Sequence, residues 1–515
     1  MTALIADTLK RLEGATVEPS PRGSSNATTR ANLTKLAEAM SGQSAAPAYS
    51  PIVLAGIVRT IEFMLIIATG LIVHSFYVVP TIGYTMEYYI AVAAVAAASI
   101  LTFQILDINH VGAFRTPAYQ GFRLAGGWAL VFLAALTIVF FLRIEDSFSR
   151  VWLLTWFTVG LATLLIERSI LSLIVRKMTR AGRLDRRTVI VGGGPAGAQL
   201  LETLSQQEET DIRIFGVFDD RTDERSPDVV AGYPKLGNVD DLVEFARHSR
   251  IDLVIFTLPI TAEQRLLQML RKLWVLPIDI RLAAHTNKLR FRPRSYSYIG
   301  DVPVLDVVDK PIADWDVVMK SCFDRVVGCI LLALLSPVLL AVAIAVKLGS
   351  KGPVFFKQKR YGFNNELIEV YKFRSMYVDQ LDPRASKLVT RDDPRVTRVG
   401  RFIRKTSLDE LPQLINVAIM GNLSLVGPRP HAVHAKAADR QYDEVVDGYF
   451  ARHRVRPGIT GWAQVNGWRG ETDTPEKIQR RVEHDLYYIE NWSILFDLYI
   501  LAMTPFALFR SDNAY

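Results

Sequence analysis

Cysteine is nearly absent. The 515 residues hold two, Cys322 and Cys329, both in one apolar stretch, which excludes a disulfide framework and a cysteine-based metal site. An apolar leader is also missing: residues 1–50 are polar, rich in Ala, Ser and Thr, and carry Lys10, Arg11, Arg22, Arg30 and Lys35. They read as a disordered tail without a cleaved signal peptide. Between the first two long apolar runs, Pro80–Tyr88 contains no Lys or Arg.

Apolar sequence and positive charge are abundant. Half the residues are hydrophobic, the mean hydropathy is +0.18, and the net charge of +8 gives a pI near 9.3. A basic chain of this kind suits an anionic partner: phospholipid, lipid phosphate or nucleic acid. The nucleic-acid option is poor, because the cations sit beside apolar segments and no recognised reading motif accompanies them.

Four runs, Ile57–Val79, Tyr89–Leu106, Leu124–Leu142 and Trp152–Val175, each approach the ~20 residues a helix needs to cross a bilayer. Arg59 lies at the entry of the first run, Arg115 and Arg123 lie in the middle loop, and Arg176, Lys177, Arg180, Arg183, Arg186 and Arg187 follow the fourth. Basic flanks stay in the cytoplasm, so residues 51–180 form a four-helix transmembrane unit with both ends inside.

Residues 187–285 read as a Rossmann-like α/β domain. The short strand Thr188–Val191 runs into Gly192-Gly193-Gly194-Pro195-Ala196-Gly197, and further strands are expected at Ile214–Phe218, Leu253–Leu258 and Ile278–Leu282. A glycine turn before a helix can receive a phosphate, but the spacing alone is weak. Asp219 and Asp220 end the second strand a little beyond the ~20 residues at which a dinucleotide fold places its ribose-binding acid. The reading favours a fold relic or regulatory module, with no cofactor assigned. Membrane helices plus such a domain also describe a membrane-anchored, NAD-dependent nucleotide-sugar dehydratase. That alternative lacks its acid–base pair, since no tyrosine here has lysine four residues later.

After a linker at 286–314, residues 315–515 form the C-terminal domain. Val326–Val346 is apolar but interrupted by Ser336-Pro337. Proline leaves the Ala333 carbonyl without its helical donor, so a kink or break is expected. Cations flank both ends, Lys320 and Arg325 before, Lys347, Lys351, Lys357, Lys359 and Arg360 after. A re-entrant helix over 316–350 with both ends cytoplasmic fits them best. Gly352–Gly362 and Tyr371–Met376 suggest a hairpin, and Ile494–Phe509 suggests a helix lying on the membrane surface.

The densest chemistry lies between Arg395 and Gly470. Arg395, Arg398, Arg401, Arg404 and Lys405 lead into the adjacent acids Asp409 and Glu410, and two rigid basic turns follow, Gly427-Pro428-Arg429-Pro430 and Arg456-Pro457-Gly458. Cations and paired carboxylates can hold a polyphosphate with a metal ion: a carboxylate ligates Mg²⁺ or attacks phosphorus while Arg holds phosphate oxygens. Ser407-Leu408-Asp409-Glu410 also matches a helix capping box, although Pro412 would orphan a carbonyl in that helix.

The stretches Thr406–Gln413, Gly427–Pro430 and Arg456–Trp462 closely resemble the bacterial sugar transferase family, polyprenyl-phosphate hexose-1-phosphate transferases, from about Lys320 to the C-terminus. The membrane and α/β parts resemble its large, glucose-1-phosphate-transferring form. The resemblance implies a monotopic catalytic domain with a Ser-Pro break in its re-entrant helix. It implies Asp409 as nucleophile, Glu410 as the Mg²⁺ ligand, and Lys359, Arg360, Arg374, Arg404, Arg429 and Arg456 as contacts to phosphate or uridine. Asp485, within His484–Tyr488, would support the site. Trp468 separates Gly467 from Arg469 where the family more often has arginine directly, which leaves Arg469 without an assigned role. The implied partners are a UDP-hexose, undecaprenyl phosphate and membrane lipid, at the cytoplasmic face of the bacterial inner membrane. A homo-oligomer is compatible with the sequence. The residues alone leave covalent and direct displacement both open, and a non-catalytic regulator of polysaccharide export remains an alternative for the first 310 residues.

Overall fold

The computed structural model describes residues 49–115, 117–144, 147–207, 211–221, 227–258, 262–283, 297–299, 302–378, 393–430, 436–437, 440–441, 448–468 and 474–510. Most of the expected N-terminal tail, and Arg469, lie outside them.

Four helices come first: α1, Pro51–Val73; α2, Met86–Ile105; α3, Pro117–Phe141; and α4, Arg150–Arg180. Ser50 and Ser149 start α1 and α4 by accepting hydrogen bonds from the Val53 amide at 3.3 Å and the Trp152 amide at 3.4 Å. α1 continues through a π-helical turn to Thr81. Trp128, Trp152 and Trp156 fill the interior, while Ile52, Ile72, Phe76, Ile90, Leu133 and Ile166 face outward. Gly70 and Gly160 leave no room for a Cβ beside Trp156 and Trp128, the close approach that small residues permit between membrane helices. Inside the bundle Arg168 pairs with Glu62, and Asn109 bridges them, donating to Glu62 at 2.9 Å and accepting from Arg168 at 2.7 Å. The cluster ties the loop after α2 to α1 and α4.

The α/β domain follows, with strands β1, Arg186–Val191; β2, Ile212–Phe218; β3, Val229–Val230; β4, Tyr233–Gly237; β5, Leu253–Phe256; and β6, Asp279–Ala283. Its helices are α5, Pro195–Ser205; α6, Val239–His248; and α7, Glu263–Leu273. Strands β4, β2, β1, β5 and β6 are parallel neighbours in that order. The segment expected to be a linker instead extends the sheet: β8, Val302–Val308, pairs antiparallel with β6, and β7, Ser297–Ile299, pairs antiparallel with β8 at the edge. Val302 and Val304 are buried, and burying such alternate valines repays strand pairing in a stretch that its Arg and Pro content made look irregular. At the glycine loop, the Gly193 amide donates to Asp219 at 2.7 Å, so the acid that ends β2 sits on the turn itself.

Helix α8, Asp314–Gly349, opens the C-terminal domain and is the fifth described helix long and apolar enough to cross a membrane. Its helical pattern continues through Pro337 and is not interrupted there. The Ser336 hydroxyl donates to the Ala333 carbonyl at 2.7 Å, partnering the acceptor that the missing proline N–H leaves, and a Ser-Pro pair of this kind bends a helix without ending it. Both halves of α8 pack on the same domain. Lys320 bonds Asp497 at 2.6 Å and the Val426 carbonyl at 3.1 Å, while Val342 and Val346 pack with Phe373 and Ile403.

The expected hairpin is present as β9, Phe355–Tyr361, and β10, Leu367–Phe373, with Gln358 opposite Val370 and Lys359 opposite Glu369. Then come α9, Arg398–Lys405; β11, Ser424–Val426; β12, Gly458–Thr460; α10, Pro475–Glu490; and α11, Ile494–Arg510. β11 and β12 pair in parallel. Gly427 and Gly458 stand so close to the opposing backbone that neither has room for a Cβ, which locks the two Gly/Pro turns together.

Candidate active site

Asp409 and Glu410 lie on the 3₁₀ turn Leu408–Glu410. The capping-box expectation fails here. Ser407 has φ 58° and its hydroxyl caps nothing; its amide instead donates to the Arg404 carbonyl at 3.1 Å. It therefore ends α9 in the left-handed conformation usual just past a helix C-terminus, and a non-glycine residue there stores on the order of 1–3 kcal/mol of strain. The acids therefore stand on a short turn after α9 rather than at a helix start.

Glu410 Oε1 accepts from Lys372 Nζ at 2.8 Å and from Arg429 Nη2 at 2.6 Å. Lys372 reaches it from β10, whose position is fixed by the buried Asn416: this side chain accepts from the Tyr371 amide at 3.0 Å and donates to the Glu369 carbonyl at 2.7 Å. The Asp409 carboxyl is pushed up to about 6, by burial first and by the neighbouring Glu410 charge second, against the pull of Lys372, Arg404 and Arg429.

Of the expected anion-binding residues, Arg360, Arg404 and Arg429 gather at this pair. Arg360 donates to Gln358 at 2.7 Å and to the Pro430 carbonyl at 3.3 Å; Arg404 acts on Asp409 through its charge. Three others lie elsewhere. Lys359 is exposed and, by strand alternation, on the hairpin face opposite Arg360. Arg374 is buried and donates to the carbonyls of Ser350 at 2.8 Å and Lys351 at 3.0 Å, capping the C-terminus of α8. Arg456 donates to Ser321 at 3.3 Å beside the N-terminal half of α8. Asp485 is buried in α10 and pairs with Arg452 at 2.6 Å; Arg452 in turn donates to the Arg429 carbonyl at 2.8 Å. Sequence reasoning passed over Lys372 and Arg452. Lys372 shares the strand face of Arg360, a signal available only once the hairpin register is known.

Two recesses meet at Glu410 and Arg429. A small one has the polar side chains Arg360, Lys372, Glu410, Gln413 and Arg429 in its lining, with Val370 and Ile459 beside them. The other, a cavity of about 200 Å³, has Glu410, Arg429, Ser407 and Gln464 among its lining together with Leu331 and Leu335 of α8, Leu414, Leu425 and Leu501. Glu410, Arg429 and Ile459 belong to both. For a divalent cation, no cluster of three or more His, Cys, Asp or Glu occurs among the described residues. Two adjacent carboxylates match the sparser protein share that Mg²⁺ takes when substrate phosphates complete its shell.

Residues 315–511 match the family model described as bacterial sugar transferase, and residues 104–284 match one described as a CoA-binding domain. The chain belongs to the bacterial sugar transferase family. Over 392 residues, 76% of this chain and 82% of the relative, it is 38% identical to the UDP-glucose:undecaprenyl-phosphate glucose-1-phosphate transferase of Escherichia coli K12. A protein of the same name from Xanthomonas campestris is 32% identical over 463 residues, covering 89% and 94% of the two chains. The exopolysaccharide production protein PSS of Rhizobium leguminosarum is 48% identical over 186 residues, 36% of this chain and 92% of that one.

Proposed function

We propose that the protein transfers glucose-1-phosphate from UDP-glucose to undecaprenyl phosphate, releasing UMP, as the first membrane step of exopolysaccharide or capsule synthesis. The carrying observation is the shared wall of the two recesses: Glu410 and Arg429 face a polar pocket on one side and an aliphatic cavity on the other. A water-soluble diphosphate and a lipid-borne phosphate each find matching chemistry there.

In this reading the Asp409 carboxylate attacks the phosphorus bonded to the sugar. The bond from that phosphorus to the bridging oxygen breaks, and UMP leaves with the electron pair. The phosphate of the lipid then attacks the same phosphorus, the aspartyl P–O bond breaks, and the Asp409 carboxylate is restored. Two displacements suit reactants of opposite solubility. Lys372, Arg404 and Arg429 offset the charge on the phosphoryl oxygens. Glu410 would hold Mg²⁺, which when bound neutralises the diphosphate.

The same reading places four spans in the inner membrane and the catalytic domain on the cytoplasmic face, with α8 re-entrant. Lys320 and Val346 lie about 39 Å apart along a helix, more than the ~30 Å hydrocarbon core, yet both touch one domain. A transmembrane crossing would set them on opposite sides. UMP release by purified protein with Mg²⁺, undecaprenyl phosphate and a panel of UDP-sugars tests the reaction. Release with UDP-glucose, lost in Asp409→Asn, is expected; retained turnover in that variant would remove Asp409 from its role.

A further inference from the structure

Arg452 sits in the 3₁₀ turn Tyr449–Arg454, and the outer side of that turn is covered by the α/β domain. Trp274, just past α7, lies against Gly448, whose φ is +72° and which has no room for a Cβ beneath the indole. The Arg247 guanidinium at the end of α6 stands 4.9 Å from the Phe450 ring centre. Asn364, in the loop between β9 and β10, donates to the Ala246 carbonyl at 3.0 Å, and Arg454 donates to the Asp309 carbonyl at 3.0 Å. The neighbouring Asn365 bonds His453. The α/β domain thus grips both the hairpin that carries Lys372 and the turn that carries Arg452.

The inner side of the turn leads to the reacting centre in two contacts, with Asp485 anchoring the first of them. Arg452 pairs with Asp485 at 2.6 Å and donates to the Arg429 carbonyl at 2.8 Å, and Arg429 bonds Glu410 at 2.6 Å. Arg452 is wholly buried, so it cannot reorient without moving the turn or the carbonyl. The Rhizobium relative, little longer than its matched 186 residues, has no length for an α/β module of this size. The module is therefore an addition to a catalytic unit that such a relative carries by itself.

We infer that Trp274 and Arg247 are positioning residues for the transfer reaction: the α/β domain clamps the Gly448–Arg454 turn and through Arg452 sets Arg429 against Glu410. The inference rests on the transferase reading for its kinetic arm. Displacement of a phosphate-holding arginine by a fraction of an ångström weakens the transition state more than the ground state, so the clamp acts on kcat.

The test uses the full-length protein in lipid nanodiscs. Trp274→Ala is expected to lower kcat for UMP release about 10- to 100-fold with KM for the UDP-sugar within about twofold, and Trp274→Phe to restore most of it. In an Arg452→Lys background the Trp274→Ala loss shrinks to less than about threefold, since both act through one contact. Amide hydrogen exchange supplies a readout independent of turnover: Trp274→Ala speeds exchange at 449–454 and also at 424–429, while 253–256 in the α/β core is unchanged. Equal losses in both backgrounds, or faster exchange confined to 449–454, would overturn the inference. Wild-type protein without UMP release would overturn the transferase reading, and the exchange pattern would still decide the clamp.

Discussion

Arg452 donates to the carbonyl oxygen of Arg429 at 2.8 Å while its guanidinium pairs with Asp485 at 2.6 Å. One buried cation therefore holds the backbone of the residue that reaches Glu410. Removing its counter-charge leaves Arg452 uncompensated in the interior. Asp485→Asn is expected to destabilise the protein by about 3–5 kcal/mol, the usual cost of breaking a buried pair, read as a fall in thermal midpoint in nanodiscs. A midpoint within a degree of wild type would contradict it.

The raised Asp409 carboxyl has consequences for activity and for stability. Attack needs the carboxylate, so kcat/KM should rise about tenfold per pH unit below 6 and level off above it. For stability the sign is reversed. A carboxyl lifted from 3.8 to about 6 in the folded state binds its proton more tightly there than in the unfolded chain, so folding loses stability as pH rises from about 4 to 6. At pH 7.5 Asp409→Asn should abolish turnover yet stabilise the fold by on the order of 1–3 kcal/mol, allowing for its partial exposure. A pH–rate profile and thermal melts of both forms at pH 5 and 7.5 check the pair of effects.

Lys359 and Lys372 stand on opposite faces of one hairpin. Lys372→Ala should lower kcat about 100-fold, as loss of a charge-stabilising donor does. Lys359→Ala should stay within about threefold of wild type, as exposed substitutions usually do. Steady-state assays of the two variants side by side decide it, and equal losses would reverse the assignment.

Arg374 acts at the end of α8 rather than on substrate. Arg374→Ala leaves the Ser350 and Lys351 carbonyls without their donor and should cost about 1–3 kcal/mol. The folded variant keeps KM for the UDP-sugar. A KM raised tenfold at unchanged stability would return Arg374 to the phosphate site.

Much of this architecture was legible because it rests on local pattern. The apolar runs gave the four N-terminal helices, Thr188–Val191 gave the first strand of the sheet, and alternation gave the hairpin. The adjacency of Asp409 and Glu410 to a basic helix pointed to the acid pair. What failed depended on distant neighbours. Lys359 differs from Arg360 and Lys372 by strand face, and Arg374, just past β10, differs by meeting the end of α8, so charge alone could not sort them. Arg452 looked like one cation among several in Arg452-His453-Arg454, and only the folding of α10 against its turn brings Asp485 to it. At Ser336-Pro337 the sequence predicts a kink or break but does not reveal that the Ser336 hydroxyl serves the Ala333 carbonyl, which lets the helical pattern continue.

The exposed apolar side chains of α8 and α11, among them Leu334, Leu340, Leu348, Leu495 and Phe506, belong to the same fold unit as Glu410. Their helices also wall the cavity beside it, through Leu331, Leu335 and Leu501. Truncation before Ala313 would discard the four N-terminal apolar helices together with the α/β domain and still leave a greasy fragment that needs detergent, because the surface that repels water is built from the elements that shape the catalytic pocket. Replacing those outward leucines with polar residues is a route to crystallisable material only where the inward-facing leucines of the same helices are left untouched.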